Sequence, residues 1–101
     1  MYKSIMIDEF EQLQKRNHLK IIDVREEDEY QSAHIKEARS MPLSTLQETA
    51  ETLDKGQEYY IICHSGGRSQ MASEFLASLG YDVTNVMGGM SAWRGEVTSG
   101  M

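Results

Sequence analysis

YYIICHSGGRS, residues 59–69, runs from four apolar side chains through the chain's one cysteine into two glycines, an arginine and a serine. An almost wholly apolar run of this length predicts a strand covered on both faces, as in a parallel sheet flanked by helices. Beyond it, Met71, Ala72, Phe75, Leu76 and Leu79 recur at helical spacing and predict a buried stripe, with Gly80 as the stop. Residues 59–80 therefore read as strand, glycine-rich turn and helix. That order places Cys63 at the carboxyl end of its strand, where open α/β sheets carry their functional crevice.

Working outward, the same alternation fills the chain. Residues 4–7 form a short apolar run. Asp8 with Glu11 reads as a capping box opening a helix that lasts to about Arg16. Residues 19–24 read as a strand, 26–32 as a short polar helix whose acidic start is solvated, and 38–41 as a brief strand ended by Pro42, the only proline. Ser44 with Gln47 suggests a second capping box. Leu43, Leu46, Ala50 and Leu53 share the face of that helix, and Gly56 ends it. Residues 81–86 give a last strand, followed by Gly88, Gly89 and a helical turn over 90–93, where Met90 and Trp93 are expected to pack on the sheet. The seven methionines read as gap-filling core and surface residues. Residues 95–101 are expected to fray. Alternating strands and helices imply an α/β fold with a parallel sheet and helices on both faces.

Composition bounds the rest. At 101 residues, 40% hydrophobic and 26% charged, the chain is the size of one globular domain, 1–101. One cysteine allows no internal disulfide. No charged-then-apolar leader opens the sequence and no apolar run approaches the roughly 18 residues of a membrane span, so a cytoplasmic address and no membrane partner are expected. A net charge of −6 argues against general nucleic-acid binding. His18, His34, His64 and Cys63 lack the short paired spacings of a zinc site, so no metal is expected.

The loop His64, Ser65, Gly66, Gly67 and Arg68 leads into the helix with Ser69. Glycines let the backbone curl so that successive N–H groups face inward as an anion nest. The helix start adds unpaired donors and the positive end of its dipole, and Arg68 adds a permanent charge. The nearest anion is the thiolate of Cys63. Each unit by which a thiol's pKa falls takes about 1.36 kcal/mol. A helix terminus gives roughly 0.5–2 kcal/mol, and charge-assisted bonds from loop amides can supply more. The loop therefore favours a reactive nucleophile at Cys63 over a structural buried cysteine. Ser65 and Ser69 are each able to donate to the bound sulfur, with capping the simpler expectation for Ser69. His64 either tunes the thiol or faces solvent. Asp23 and Arg25 read as a structural pair region, with Arg25 reaching Glu29.

These residues carry a resemblance. IIDVREEDEYQSAHI (21–35), IICHSGGRS (61–69) and LGYDVTNVMGGMSAW (79–93) resemble, in order and separation, the opening pattern, active-site loop and closing pattern of single-domain rhodaneses, a sulfurtransferase family. The likeness covers about residues 4–93. Ala33 and Glu37 stand where the family often has glycine; His34 matches its loop-anchoring histidine. The resemblance implies a rhodanese-like five-stranded parallel sheet flanked by helices on both faces. It implies that Cys63 takes a sulfane sulfur from a donor such as thiosulfate or a persulfide, that of a protein included, and passes it to a thiol or cyanide. Residues 64–69 would bind the substrate, and no cofactor is required. Two alternatives stay open: a sulfur-carrier or regulatory module acting on a partner protein, and a phosphatase or arsenate reductase. The last uses a cysteine and arginine with five residues between them; here four separate Cys63 from Arg68.

Overall fold

The structure is a computed structural model that describes residues 2–100. Its centre is a five-stranded, wholly parallel sheet of β1 (Lys3–Met6), β2 (Lys20–Asp23), β3 (Ala38–Ser40), β4 (Glu58–Ile62) and β5 (Asp82–Met87). The strands lie in the order β1-β5-β4-β2-β3. The helices are α1 (Ile7–Arg16), α2 (Glu27–Ser32), α3 (Leu46–Thr49) and α4 (Gly67–Ser78); 3-10 turns flank α3 at Leu43–Thr45 and Ala50–Thr52, and another follows β5 at Met90–Ala92.

Period-two alternation along β4 divides the core. Tyr59, Ile61 and Cys63 join Ile22, Val24, Leu46, Ala72 and Leu76 under α3 and α4. Tyr60 and Ile62 join Ile7, Phe10, Ile21, Tyr30 and Val86 under α1 and α2. Both faces of the strand are buried, which is why its sequence shows no polar side. The parity also sends the Cys63 side chain toward the start of α4. Met90 and Trp93 pack against the second cluster, Trp93 with its ring 5.9 Å from that of Phe10.

Several local expectations are corrected. No capping box opens α1: the chain passes from β1 straight into the helix at Ile7, and Met6 occupies the cap position with extended backbone. Asp8 and Glu9 then lie in the first turn, where their charges complement the positive end of the helix dipole. Ser44 is no cap either; its hydroxyl donates to Glu26 Oε1 at 2.8 Å. The segment around α3 leaves helical geometry at Leu53, before Gly56, whose N–H is taken by Asp54 Oδ1 at 2.7 Å. The capping box that does form is Glu26 with Glu29, at the start of α2. On α4, Met71 and Leu79 are exposed, and the buried face is Ser69, Ala72, Ser73 and Leu76. Small residues there let the helix lie close on β4 and β5. Gly80 does stop α4: its N–H reaches Ala77 O at 3.0 Å and that of Tyr81 reaches Leu76 O at 3.1 Å. Residues 95–100 do not fray freely. Thr98 pairs both its backbone groups with His34 at 2.8 Å, and Gly100 N–H donates to Gln31 O at 2.8 Å, so the tail is tied back over α2.

One residue joins the end of β5 to the end of β4. Gly89 has φ 57° and ψ −158°, a region that other residues hardly enter. A Cβ built there would lie 2.4 Å from Cys63 O and 2.6 Å from His64 O. Gly67, by contrast, would meet nothing within 4 Å. Gly89→Ala is therefore expected to lower the free energy of unfolding by roughly 2 kcal/mol or more, and Gly67→Ala to change it by less than about 0.5 kcal/mol. Urea denaturation of the two variants measures the contrast.

Candidate functional site

The site begins where β4 ends. Two hydrogen bonds from the turn after Gly89 hold the first peptides of the loop: Met90 N–H donates to Cys63 O at 2.8 Å, and Ser91 N–H donates to His64 O at 2.7 Å. In a trans peptide the carbonyl and the next residue's N–H point in opposite directions. Fixing His64 O on one side therefore turns the Ser65 N–H to the other, toward the sulfur. Gly66 follows with φ 113° as the N-terminal cap of α4, and its N–H donates to Cys63 Sγ at 3.1 Å. The loop curls around the thiol as the glycines suggested, although only Gly66 of the pair needs a left-handed backbone.

Cys63 is 1% exposed, covered by its own loop and by the first turn of α4. Its thiol donates to Ser69 Oγ at 3.3 Å. Ser69 is the third residue of α4 and fully buried, so it serves the sulfur's surroundings rather than capping the helix. Its hydroxyl in turn donates to Asn85 Oδ1 at 2.5 Å, with Gly66 O within reach at 3.2 Å. Burial pushes the thiol's pKa up. The Ser69 hydroxyl and the N–H groups of Ser69, Gly66 and Ser65 outweigh that, and the net displacement is downward. These donors are local dipoles, oriented by the fold before any charge appears.

Arg68 is not free in the way the sequence suggested. Its Nη1 and Nη2 donate to Glu29 Oε1 and Oε2 at 2.6 and 2.8 Å, a bidentate pair between α4 and α2. That contact takes Glu29 away from Arg25, overturning the expected Arg25–Glu29 pair. Arg25 instead folds back on Asp23, with Nη2 to Oδ2 at 2.8 Å and its own backbone N–H to Oδ1 at 3.0 Å, and also donates to Ala33 O at 2.7 Å. The pair is buried and supports the β2–α2 corner. The acidic start of α2 is likewise not wholly solvated: Glu26 and Glu29 are half-buried and engaged, while Glu27 and Asp28 are exposed.

His64 and Ser65 are exposed on the rim of the loop. His34 is buried, with Nδ1 2.7 Å from Tyr30 O and its ring stacked on that of Tyr30 at 3.7 Å. It anchors the corner into which the tail docks. Ala33 has φ −169°, extended backbone open to any residue, so the absence of glycine costs nothing there. Among the described residues no group of three or more His, Cys, Asp or Glu is placed to hold a metal ion, and no helix is long and apolar enough to cross a membrane.

The structure brings together Cys63, the amides of 65 and 66, and Ser69, and adds two residues that sequence reasoning missed. Asn85 is 5% exposed in the middle of β5; a polar residue between Val83 and Val86 in a central strand was the available signal. Glu29 belonged to an acidic run, and nothing in its spacing distinguished it from Glu27 or Asp28.

Comparison with known proteins agrees with this architecture. Residues 6–96 match the Rhodanese-like domain family. YtwF of Bacillus subtilis is 41% identical over 86 residues, which cover 85% of this chain and 84% of that one. Thiosulfate sulfurtransferase GlpE of Coxiella burnetii is 34% identical over 95 residues, covering 93% and 89%. The crystal structure of a rhodanese-like domain protein from Staphylococcus aureus superposes with a TM-score of 0.90 at 34% identity, covering 98% of this chain and 99% of that one. With its sheet order, its glycine-shaped cysteine loop and a match over most of its length, this chain belongs to the rhodanese-like domain family.

Proposed function

We propose that the protein is a sulfurtransferase in which Cys63 carries the sulfur. The Cys63 thiolate attacks the sulfane sulfur of a donor; the new S–S bond forms as the donor's S–S bond breaks, and the donor leaves as sulfite or a thiolate with the bonding electron pair. Cys63 is then a persulfide. An acceptor thiolate or cyanide attacks the outer sulfur, and Cys63 returns as thiolate. Sulfur moves with no net electron transfer, so neither metal nor organic cofactor is needed.

The observation that carries this reading is the ring of donors on one sulfur atom. The Gly66 N–H lies 3.1 Å from Sγ, and the Ser65 and Ser69 amides favour the same charge. Preorganised dipoles of this kind hold a thiolate before attack and the persulfide anion after it. The four-residue spacing from Cys63 to Arg68 keeps the ring tight. It fits one added sulfur better than a tetrahedral oxyanion, which disfavours phosphoryl transfer. Since Cys63 is 1% exposed, a donor enters by displacing the exposed rim, His64 and Ser65. A cleft of about 380 Å³ lined by Leu19, Lys20, Arg39 and Tyr59 lies at the amino end of the sheet, away from this chemistry.

Intact mass after incubation with thiosulfate or an alkyl persulfide is the direct test. Wild type is expected to gain one sulfur atom and Cys63→Ser none. Hydrolysis of an aryl phosphate with no persulfide formed would falsify the assignment.

The donor ring also sets a pH profile. Alkylation of Cys63 by iodoacetamide should rise through a midpoint below that of an unperturbed thiol, because the ionised form is the stabilised one. Ser69→Ala removes the hydroxyl and should move that midpoint upward. It should also cost about 1–3 kcal/mol of stability by leaving Asn85 without its partner. A midpoint unmoved by Ser69→Ala would remove the hydroxyl from the mechanism.

A further inference from the structure

The Arg68–Glu29 pair does more than fasten α4 to α2. Both terminal nitrogens of the guanidinium are committed to one carboxylate, at 2.6 and 2.8 Å, and each side chain remains about a third exposed. Glu29 cannot swing aside at will, because its Oε1 also accepts the Glu26 N–H at 3.1 Å and completes the capping box of α2. Hydrogen bonding from Arg68 holds the Glu29 carboxyl down at about 2, so it stays ionised at any working pH. Among the described residues no second cation forms an ion pair with Glu29. Arg25, the other guanidinium nearby, is buried on Asp23 and the Ala33 carbonyl. The remaining charged neighbour, Glu26, accepts from Ser44. Asp23, Glu26 and Glu29 thus stand against Arg25 and Arg68, one negative charge in excess before Cys63 ionises, on a chain of net charge −6.

We propose that Glu29 is a specificity-determining residue: by holding and cancelling Arg68 it turns the Cys63 loop away from small dianionic donors such as thiosulfate and toward persulfides of thiols, whose sulfane sulfur carries at most one negative charge. This rests on the sulfur-transfer reading of Cys63. The amide ring still stabilises the single charge on sulfur, since dipoles aimed at one atom act at short range. A dianion approaching from solvent meets the longer-range field of the rim, where Arg68, the loop's own cation, is already neutralised.

The test compares full-length wild type with Glu29→Gln, Arg68→Gln and the double variant. Glutamine keeps an acceptor for the Glu26 N–H, so the start of α2 is retained. The first measurement is the ratio of Cys63 alkylation rates with iodoacetate, an anion, and iodoacetamide, its neutral counterpart. Access to the sulfur and any change in its pKa cancel in that ratio. Glu29→Gln is expected to raise it roughly fivefold, the scale of partly exposed ion pairs. Arg68→Gln should lower it, and the double variant should return near wild type. The gain should shrink in about 1 M salt, where the Debye length falls to about 3 Å.

The second measurement is sulfur transfer. Glu29→Gln should lower the KM for thiosulfate by a similar factor and leave that for the persulfide of 2-mercaptoethanol unchanged. An unchanged alkylation ratio, or an equal gain with both donors, overturns the proposal. If the ratio moves but wild type takes sulfur from neither donor, the charge discrimination stands and the sulfur-transfer reading falls.

Discussion

The two hydrogen bonds from Met90 and Ser91 to the carbonyls of Cys63 and His64 are the constraint on which the site depends. They come from a turn that follows β5, yet they decide the orientation of peptides that follow β4. Peptide planarity does the rest, since a carbonyl held on one side commits the next N–H to the other. Gly89 makes the approach possible because a side chain there would occupy the space of the carbonyls it serves. The parallel pairing of β4 with β5, Glu58 opposite Asp82 through Ile61 opposite Asn85, brings the two strand ends level. The ring of donors on Cys63 is thus a product of sheet register and of the one residue type that tolerates this contact.

An acidic protein that stabilises a thiolate needs positive potential without net positive charge. Here the potential comes from backbone N–H groups and a helix start, which are fixed dipoles whose field is strong near their target and weak beyond it. Whole charges at the same corner are arranged in pairs, Arg25 on Asp23 and Arg68 on Glu29. The buried pair stiffens the β2–α2 corner, and the half-exposed pair ties α2 to the helix that starts at the loop. The donors act on the sulfur at short range, while the whole charges at the rim are paired with one another. Asn85 extends the same logic inward: it gives the Ser69 proton a resting partner while Cys63 is a neutral thiol, and that proton is free to turn toward the sulfur when the thiol ionises.

Much of this was legible in the chain. The alternation of apolar runs with helical stripes placed four of the strands within a residue or two and marked β1 only as a short apolar run, because burial on both faces of β4 and β2 leaves an unmistakable apolar signature. The glycine-rich turn after an apolar strand located the thiol at the sheet's carboxyl edge. Capping was the weak point. Asp8 with Glu11 and Ser44 with Gln47 have the right spacing, but α1 grows directly out of β1 and Ser44 is drawn to Glu26. The apolar stripe of α4 was also misjudged, since small residues there are selected by closeness to the sheet, and Met71 and Leu79 are left outside.

By itself the sequence determined the α/β class, the succession of strands and helices along the chain, and the lone cysteine in its curled loop. These follow from periodicity, glycine and local dipoles, all properties of neighbours in sequence. Only the tertiary structure decided the partners: Glu29 for Arg68, Asp23 for Arg25, Asn85 for Ser69, Thr98 for His34. Each choice among several chemically equivalent side chains depends on which elements the sheet brings face to face, and no short-range pattern encodes that distance.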